Sequence, residues 1–140
     1  MLIDTITRDI SQDKYGDLIF NGSDIVTSYN KDEIAKMNAA HRVFSANGDL
    51  FKYKLYGANL INYTGKQLTD ETIDEMARSI RQSLTSDLFL SAYEIMIVPV
   101  RNGVDSVYFK ISVGTSEGFT REKIQEINIE FTTTGGVRYV

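Results

Sequence analysis

The stretch Ile95-Met96-Ile97-Val98-Pro99-Val100-Arg101-Asn102-Gly103-Val104-Asp105-Ser106-Val107-Tyr108-Phe109-Lys110-Ile111-Ser112-Val113 decides the fold class. Residues 92–101 are rich in Ile, Val and Tyr, which predicts a strand buried on both faces. Asn102-Gly103 is the strongest short hairpin signal in the chain, because Asn and Gly both tolerate positive φ. Beyond it, residues 104–113 set Val107, Phe109, Ile111 and Val113 on one face and Tyr108, Lys110 and Ser112 on the other. Two such runs across one short turn predict an antiparallel pair.

The same alternation continues downstream. After a loop at residues 114–120, residues 122–133 alternate Ile127, Ile129 and Phe131 with Glu126, Asn128 and Glu130. Gly135-Gly136 then turns the chain into Val137-Arg138-Tyr139-Val140.

Upstream, the period changes from two to 3.6. Residues 70–86 predict the clearest helix, with Thr69 as its cap and Asp70, Glu71 and Asp74 in its first turns. Its apolar face is Ile73, Met76, Ala77, Ile80 and Leu84, and Arg78 and Arg81 lie towards its C-terminal end. An earlier helix is predicted over residues 31–46, with Ile34, Met37, His41 and Phe44 as one stripe. Asn30 is its expected N-cap, with Glu33 three residues on, and Asn47-Gly48 its stop. Between the helices, Phe51, Tyr53 and Leu55 alternate with Lys52 and Lys54, and residues 58–65 suit a short helical turn. Residues 1–30 read as an extended, turn-rich segment, with Leu18-Ile19-Phe20 and Ile25-Val26 between its turns. The sum is a single α+β domain over residues 1–140. Two main helices pack on one face of a small, mainly antiparallel sheet, and charged residues occupy the other.

A strand at the end of such a sheet leaves a row of backbone donors and acceptors at a margin. Ile127, Ile129, Phe131, Val137 and Tyr139 are the residues placed at that margin. It is offered to a partner strand, left to solvent, or covered by the N-terminal segment.

Composition narrows the chemistry. The 140 residues, 42% of them hydrophobic, suit one ordinary core, and the net charge of −4 argues against coating nucleic acid. Without cysteine there is no disulfide, thiolate metal site or cysteine nucleophile. The N-terminus lacks a basic, then apolar, leader pattern, and the longest apolar run, residues 95–100, is too short to span a bilayer as a helix. No cofactor, metal or membrane partner is expected.

Reactive constellations are sparse. His41, the single histidine, lacks triad context and reads as a packing residue. Glu94 lies in an apolar stretch, where burial would raise its pKa and suit it to acid catalysis, or where it pairs with an arginine or starts a strand. Gly114-Thr115-Ser116-Glu117-Gly118 lacks the Gly-Lys-Ser/Thr ending of a phosphate loop. Lys52 and Lys54 are too few for a nucleic-acid track. No catalytic or metal-ligating residue is assigned.

An ordered set of short stretches resembles a known family. Tyr15-Gly16-Asp17-Leu18 and Asn21-Gly22-Ser23-Asp24-Ile25 come first. Ala46-Asn47-Gly48-Asp49-Leu50-Phe51, Tyr56-Gly57-Ala58-Asn59-Leu60 and Gly65-Lys66-Gln67-Leu68-Thr69-Asp70-Glu71-Thr72 follow. Together, over roughly residues 10–113, they are similar to the baseplate wedge family of contractile-tailed phages, which is related to a baseplate subunit of type VI secretion systems. The resemblance implies a non-enzymatic α+β virion subunit, assembled in the host cytoplasm in multiple copies, with other wedge proteins and the tail sheath as partners. It implies initiation of sheath assembly by strand exchange. Many members carry Glu-Pro-Arg after the second helix, in contact with neighbouring wedge proteins. Here Asp87-Leu88-Phe89 stands in that place and becomes the candidate wedge contact. Some members carry a lysozyme label, so a peptidoglycan-degrading enzyme using Glu94 or another acid is the alternative expectation.

Overall fold

The computed structural model describes residues 9–12, 17–25, 27–28, 31–46, 48–49, 56–114 and 125–140. The expected N-cap Asn30, Asn47 of the expected helix stop, the alternating residues 51–55 and most of the 114–120 loop lie outside them. In chain order the elements are β1 (Asp9–Ile10), β2 (Phe20–Asn21), β3 (Asp24–Ile25), β4 (Thr27–Ser28), α1 (Lys31–Phe44) and α2 (Asp70–Thr85). They continue as β5 (Ile95–Arg101), β6 (Ser106–Val113), β7 (Gln125–Thr132) and β8 (Gly136–Tyr139), with 3-10 turns at Leu60–Tyr63, Ser86–Leu88 and Ala92–Glu94. The fold is α+β: two helices on a four-stranded antiparallel sheet of order β5-β6-β7-β8.

The register follows the sequence alternation. Ile97 lies opposite Ile111, Phe109 opposite Ile129, and Phe131 opposite both Val107 and Val137. Val107, Phe109, Ile111, Ile127, Ile129 and Phe131 are buried on the helix side. Each such side chain contributes about 1.5–3 kcal/mol by leaving water. α2 supplies Ile73, Met76, Ile80 and Leu84 to the same core. Thr69 caps it, its Oγ1 accepting from the Thr72 N–H at 3.2 Å.

Three expectations are corrected. The turn after β5 is wider than a two-residue Asn-Gly turn, and β6 starts at Ser106 rather than Val104. Asn102 pairs with Ser106 at 2.9 Å, and Gly103 takes the positive φ of 85°. Asp105 is held on the other side, its carbonyl accepting from the Thr133 N–H at 3.0 Å, which extends the β6–β7 ladder by a rung.

β5 is not buried on both faces. It is the sheet's first edge, and Met96, Val98 and Val100 are 53%, 43% and 53% exposed on the face away from the helices. Their apolar composition imitates an interior strand.

The packing stripe of α1 is rotated from the predicted one. α1 meets the main core through Ala39, Ala40 and Val43. The small alanines let the helix approach α2 and β7, against which it packs. His41 and Phe44 are exposed, and Ile34 joins Ala35 and Met37 in a separate small cluster. That side of α1 faces the N-terminal segment. The His41 Nε2 pairs with the Gln12 Oε1, and the Gln12 N–H donates to the Met37 Sδ at 3.3 Å. Ile10, Gln12, Leu18, Met37, Asn38 and His41 line a cavity of about 190 Å³.

Candidate assembly interface

The residues Asp87-Leu88-Phe89 follow α2 directly, and their conformation is set from α1. The last carbonyls of a helix have no partner within it. Arg42 supplies one: its Nη1 donates to the Ser83 carbonyl at 3.0 Å, the Ser86 carbonyl at 3.3 Å and the Ser86 Oγ at 3.0 Å. A cation here also meets the negative end of the α2 dipole. The guanidinium is sandwiched, 4.4 Å from the Phe89 ring centroid and 4.7 Å from that of Tyr56. Asp87 Oδ2 lies 3.8 Å from the same Nη1, and Asp87 itself adopts a left-handed conformation with φ 58°. Burial raises the Tyr56 hydroxyl above its ordinary 10.0, with Arg42 opposing.

This geometry divides the predicted wedge contact. Asp87 is exposed and available to a neighbour. Phe89 is 4% exposed and belongs to the core. The side chain of Leu88 lies outside the described residues.

The predicted sheet margin divides in the same way. Ile127, Ile129 and Phe131 stand on β7, which pairs with β6 on one side and β8 on the other. They are core residues with no free margin, because β8 covers the strand that carries them. Val137 and Tyr139 do lie on the edge strand. Antiparallel ladders alternate, so residues that exchange bonds with the partner flank residues whose N–H and C=O point away. The Val140 N–H donates to the Asn128 carbonyl at 3.1 Å, which places the bonded rungs at Val140, Arg138 and Gly136. The backbone groups of Val137 and Tyr139 therefore point outwards. The N-terminal strands do not take this edge: among the described residues β1 pairs with β4 and β2 with β3.

Charge on the outer face secures β8. Glu130 sits on that face yet is 6% exposed. Arg138 reaches it from β8 with Nε at 2.9 Å and Nη2 at 2.5 Å from Oε2, and the Ser106 Oγ donates to Oε1 at 2.9 Å. The Arg138 bond, then the Ser106 bond, hold the Glu130 carboxyl below its ordinary 4.5. Glu126, by contrast, is a solvated partner of Lys110 at 3.3 Å.

Glu94, the acid singled out from sequence, closes the 3-10 turn at the head of β5. Its Oε1 accepts from the Ser91 N–H at 3.0 Å in a capping box. Its Oε2 is buried without a hydrogen-bond partner among the described residues. Glycoside hydrolysis needs two carboxylates flanking one bond, and Glu94 is committed to its own backbone turn. Among the described residues no group of three or more His, Cys, Asp and Glu side chains could hold a metal ion. No described helix is long and apolar enough to cross a membrane.

Sequence reading missed Arg42, whose acceptors lie more than forty residues away in the chain. No family model, curated protein or solved structure matches the chain.

Proposed function

We propose that the chain is a structural subunit of the baseplate wedge in a contractile phage tail. It is present in several copies, docks on neighbouring wedge proteins, and starts sheath assembly by strand pairing. The observation that carries the reading is β8: a short edge strand whose one hydrogen-bonded neighbour strand among the described residues is β7, with the backbone groups of Val137 and Tyr139 directed outwards. A strand added there gains backbone hydrogen bonds in register and buries apolar side chains beside Val137, with no bond made or broken. The Glu130–Arg138 pair supports the same reading, because it holds the edge strand in place for its partner. The ordered sequence resemblance over residues 10–113 is what directs the reading to this machine.

The test separates assembly from hydrolysis. The tagged chain is recovered from the lysate of the host that carries its gene, and the co-sedimenting proteins are identified. Recovery with tail sheath and wedge proteins supports the reading. Release of reducing sugar from peptidoglycan by the purified chain, abolished in Glu94→Gln, would replace it with the muralytic alternative.

A further inference from the structure

The opposite edge of the sheet carries a second surface, distinct from β8. In β5 the bonded rungs are fixed by two contacts: the Asn102 N–H donates to the Ser106 carbonyl at 2.9 Å, and the Gly114 N–H to the Glu94 carbonyl at 2.8 Å. Between them Met96, Val98 and Val100 face β6 with their backbone groups. Ile95, Ile97 and Arg101 therefore direct N–H and C=O away from the sheet. Pro99 occupies the remaining outward position and has no N–H to offer. Proline and charge blunt the Arg101 half of this margin, as on many edge strands. The Ile95–Ile97 half keeps both carbonyls and the Ile97 donor, while the Ile95 N–H closes the 3-10 turn Ala92–Glu94.

α2 runs antiparallel alongside that margin. Arg101 Nη2 meets Asp70 Oδ1 at 3.0 Å near one end, and Arg81 Nη1 donates to the Ala92 carbonyl at 3.1 Å near the other. Asp74, Ala77, Arg78 and Arg81 form one helical stripe, and with Ile97 they line an open groove of about 280 Å³. Its floor is small and apolar, Ala77 and Ile97. The Ile95 and Ile97 carbonyls and the Ile97 N–H lie at the end nearer Arg78 and Arg81, so guanidinium charge lines the pairing half in a chain of net charge −4. On the other side of the sheet the exposed row Met96, Val98 and Val100 continues to the same edge.

We propose that this groove receives an extended segment of another protein chain, carrying an Asp or Glu flanked on both sides by apolar residues. The segment adds to β5 at Ile95 and Ile97. Its carboxylate turns towards Arg78 and Arg81. Its flanking residues turn to the opposite face and extend the row of Met96, Val98 and Val100. Pro99 ends the pairing after a few rungs, so charge and not length selects the partner. This surface is independent of the tail assignment and holds for any host machine.

The probe is a labelled nine-residue peptide of alternating threonine and valine, with glutamate at its centre and valine on both sides of it. A second peptide has lysine in place of the glutamate. Binding to the full chain is read by fluorescence anisotropy, and the site by amide shifts and exchange in the ¹⁵N-labelled protein. The glutamate peptide binds about tenfold more tightly than the lysine peptide, with new protection at the Ile97 amide. Arg78→Glu with Arg81→Glu reverses the order. If that double variant unfolds, Arg78→Gln carries the test by loss of the preference. Equal affinities, no binding of either peptide, or shifts at Val137 and Tyr139 instead would overturn the proposal. So would self-association of the chain with the Ile97 amide protected, since the occupant is then a second copy.

Discussion

The guanidinium carbon of Arg42 lies 4.4 Å from the ring centroid of Phe89, although 47 residues separate them in the chain. One side chain thus joins α1 to the end of α2 and fixes the path of the segment that leads into β5. Removing it leaves the Ser83 and Ser86 carbonyls without their cation and opens a cavity between two rings. Arg42→Ala is expected to cost about 2–4 kcal/mol, the sum of lost charge-assisted hydrogen bonds and lost packing. Arg42→Lys keeps the charge but not the planar fork, and falls between. Urea unfolding of the three proteins measures both.

Glu130 makes stability depend on acid. Its folded pKa is depressed by the Arg138 and Ser106 hydrogen bonds. A depressed carboxyl binds its proton less readily when folded than when unfolded, so its contribution is present above the ordinary 4.5 and disappears as pH falls through the folded value. The expected result is a urea midpoint that falls as the pH is lowered from 4.5 towards the folded value. Glu130→Gln lowers the midpoint at neutral pH and flattens the acid limb. An unchanged acid limb in the variant would show that other carboxylates dominate.

Gly57 has no room for a side chain. A Cβ built there would meet the Ala46 carbonyl carbon at 2.3 Å and the Ser45 oxygen at 2.4 Å. The close approach comes from the segment crossing the end of α1, where the Ala58 N–H donates to the Arg42 carbonyl at 3.1 Å and the Asn59 N–H to the Ser45 carbonyl at 3.2 Å. Gly57→Ala is expected to destabilise by about 1–3 kcal/mol or more, because backbone and not a flexible tip must move. Thermal melting followed by circular dichroism checks it.

These relationships also explain what could be read from sequence. β6 and β7 alternate cleanly because one face is core and the other polar, and α2 carries a cap and a full apolar stripe. The core face of α1 was hidden because two of its three contacts, Ala39 and Ala40, are alanines, which carry little hydrophobic signal beside Ile34, Met37 and Phe44. The edge position of β5 was hidden because Met96, Val98 and Val100 are as apolar as an interior strand. The margin candidates on β7 failed for a related reason. Alternation says which face a residue takes and nothing about which strand lies outermost. Asp87-Leu88-Phe89 was located by resemblance, but its link to Arg42 depends on tertiary packing that no local pattern encodes.

The most direct test of the assembly account is a single substitution on the edge strand β8. The Val137 N–H points away from β7, so Val137→Pro removes an outward donor and leaves the bonded rungs at Gly136 and Arg138 in place. Polymerisation of the co-sedimenting sheath protein is followed by light scattering and electron microscopy, seeded with wild type or variant, with circular dichroism confirming the fold of each. The account predicts that wild type seeds sheath and that folded Val137→Pro does not. Seeding by the folded variant at the wild-type rate would contradict it.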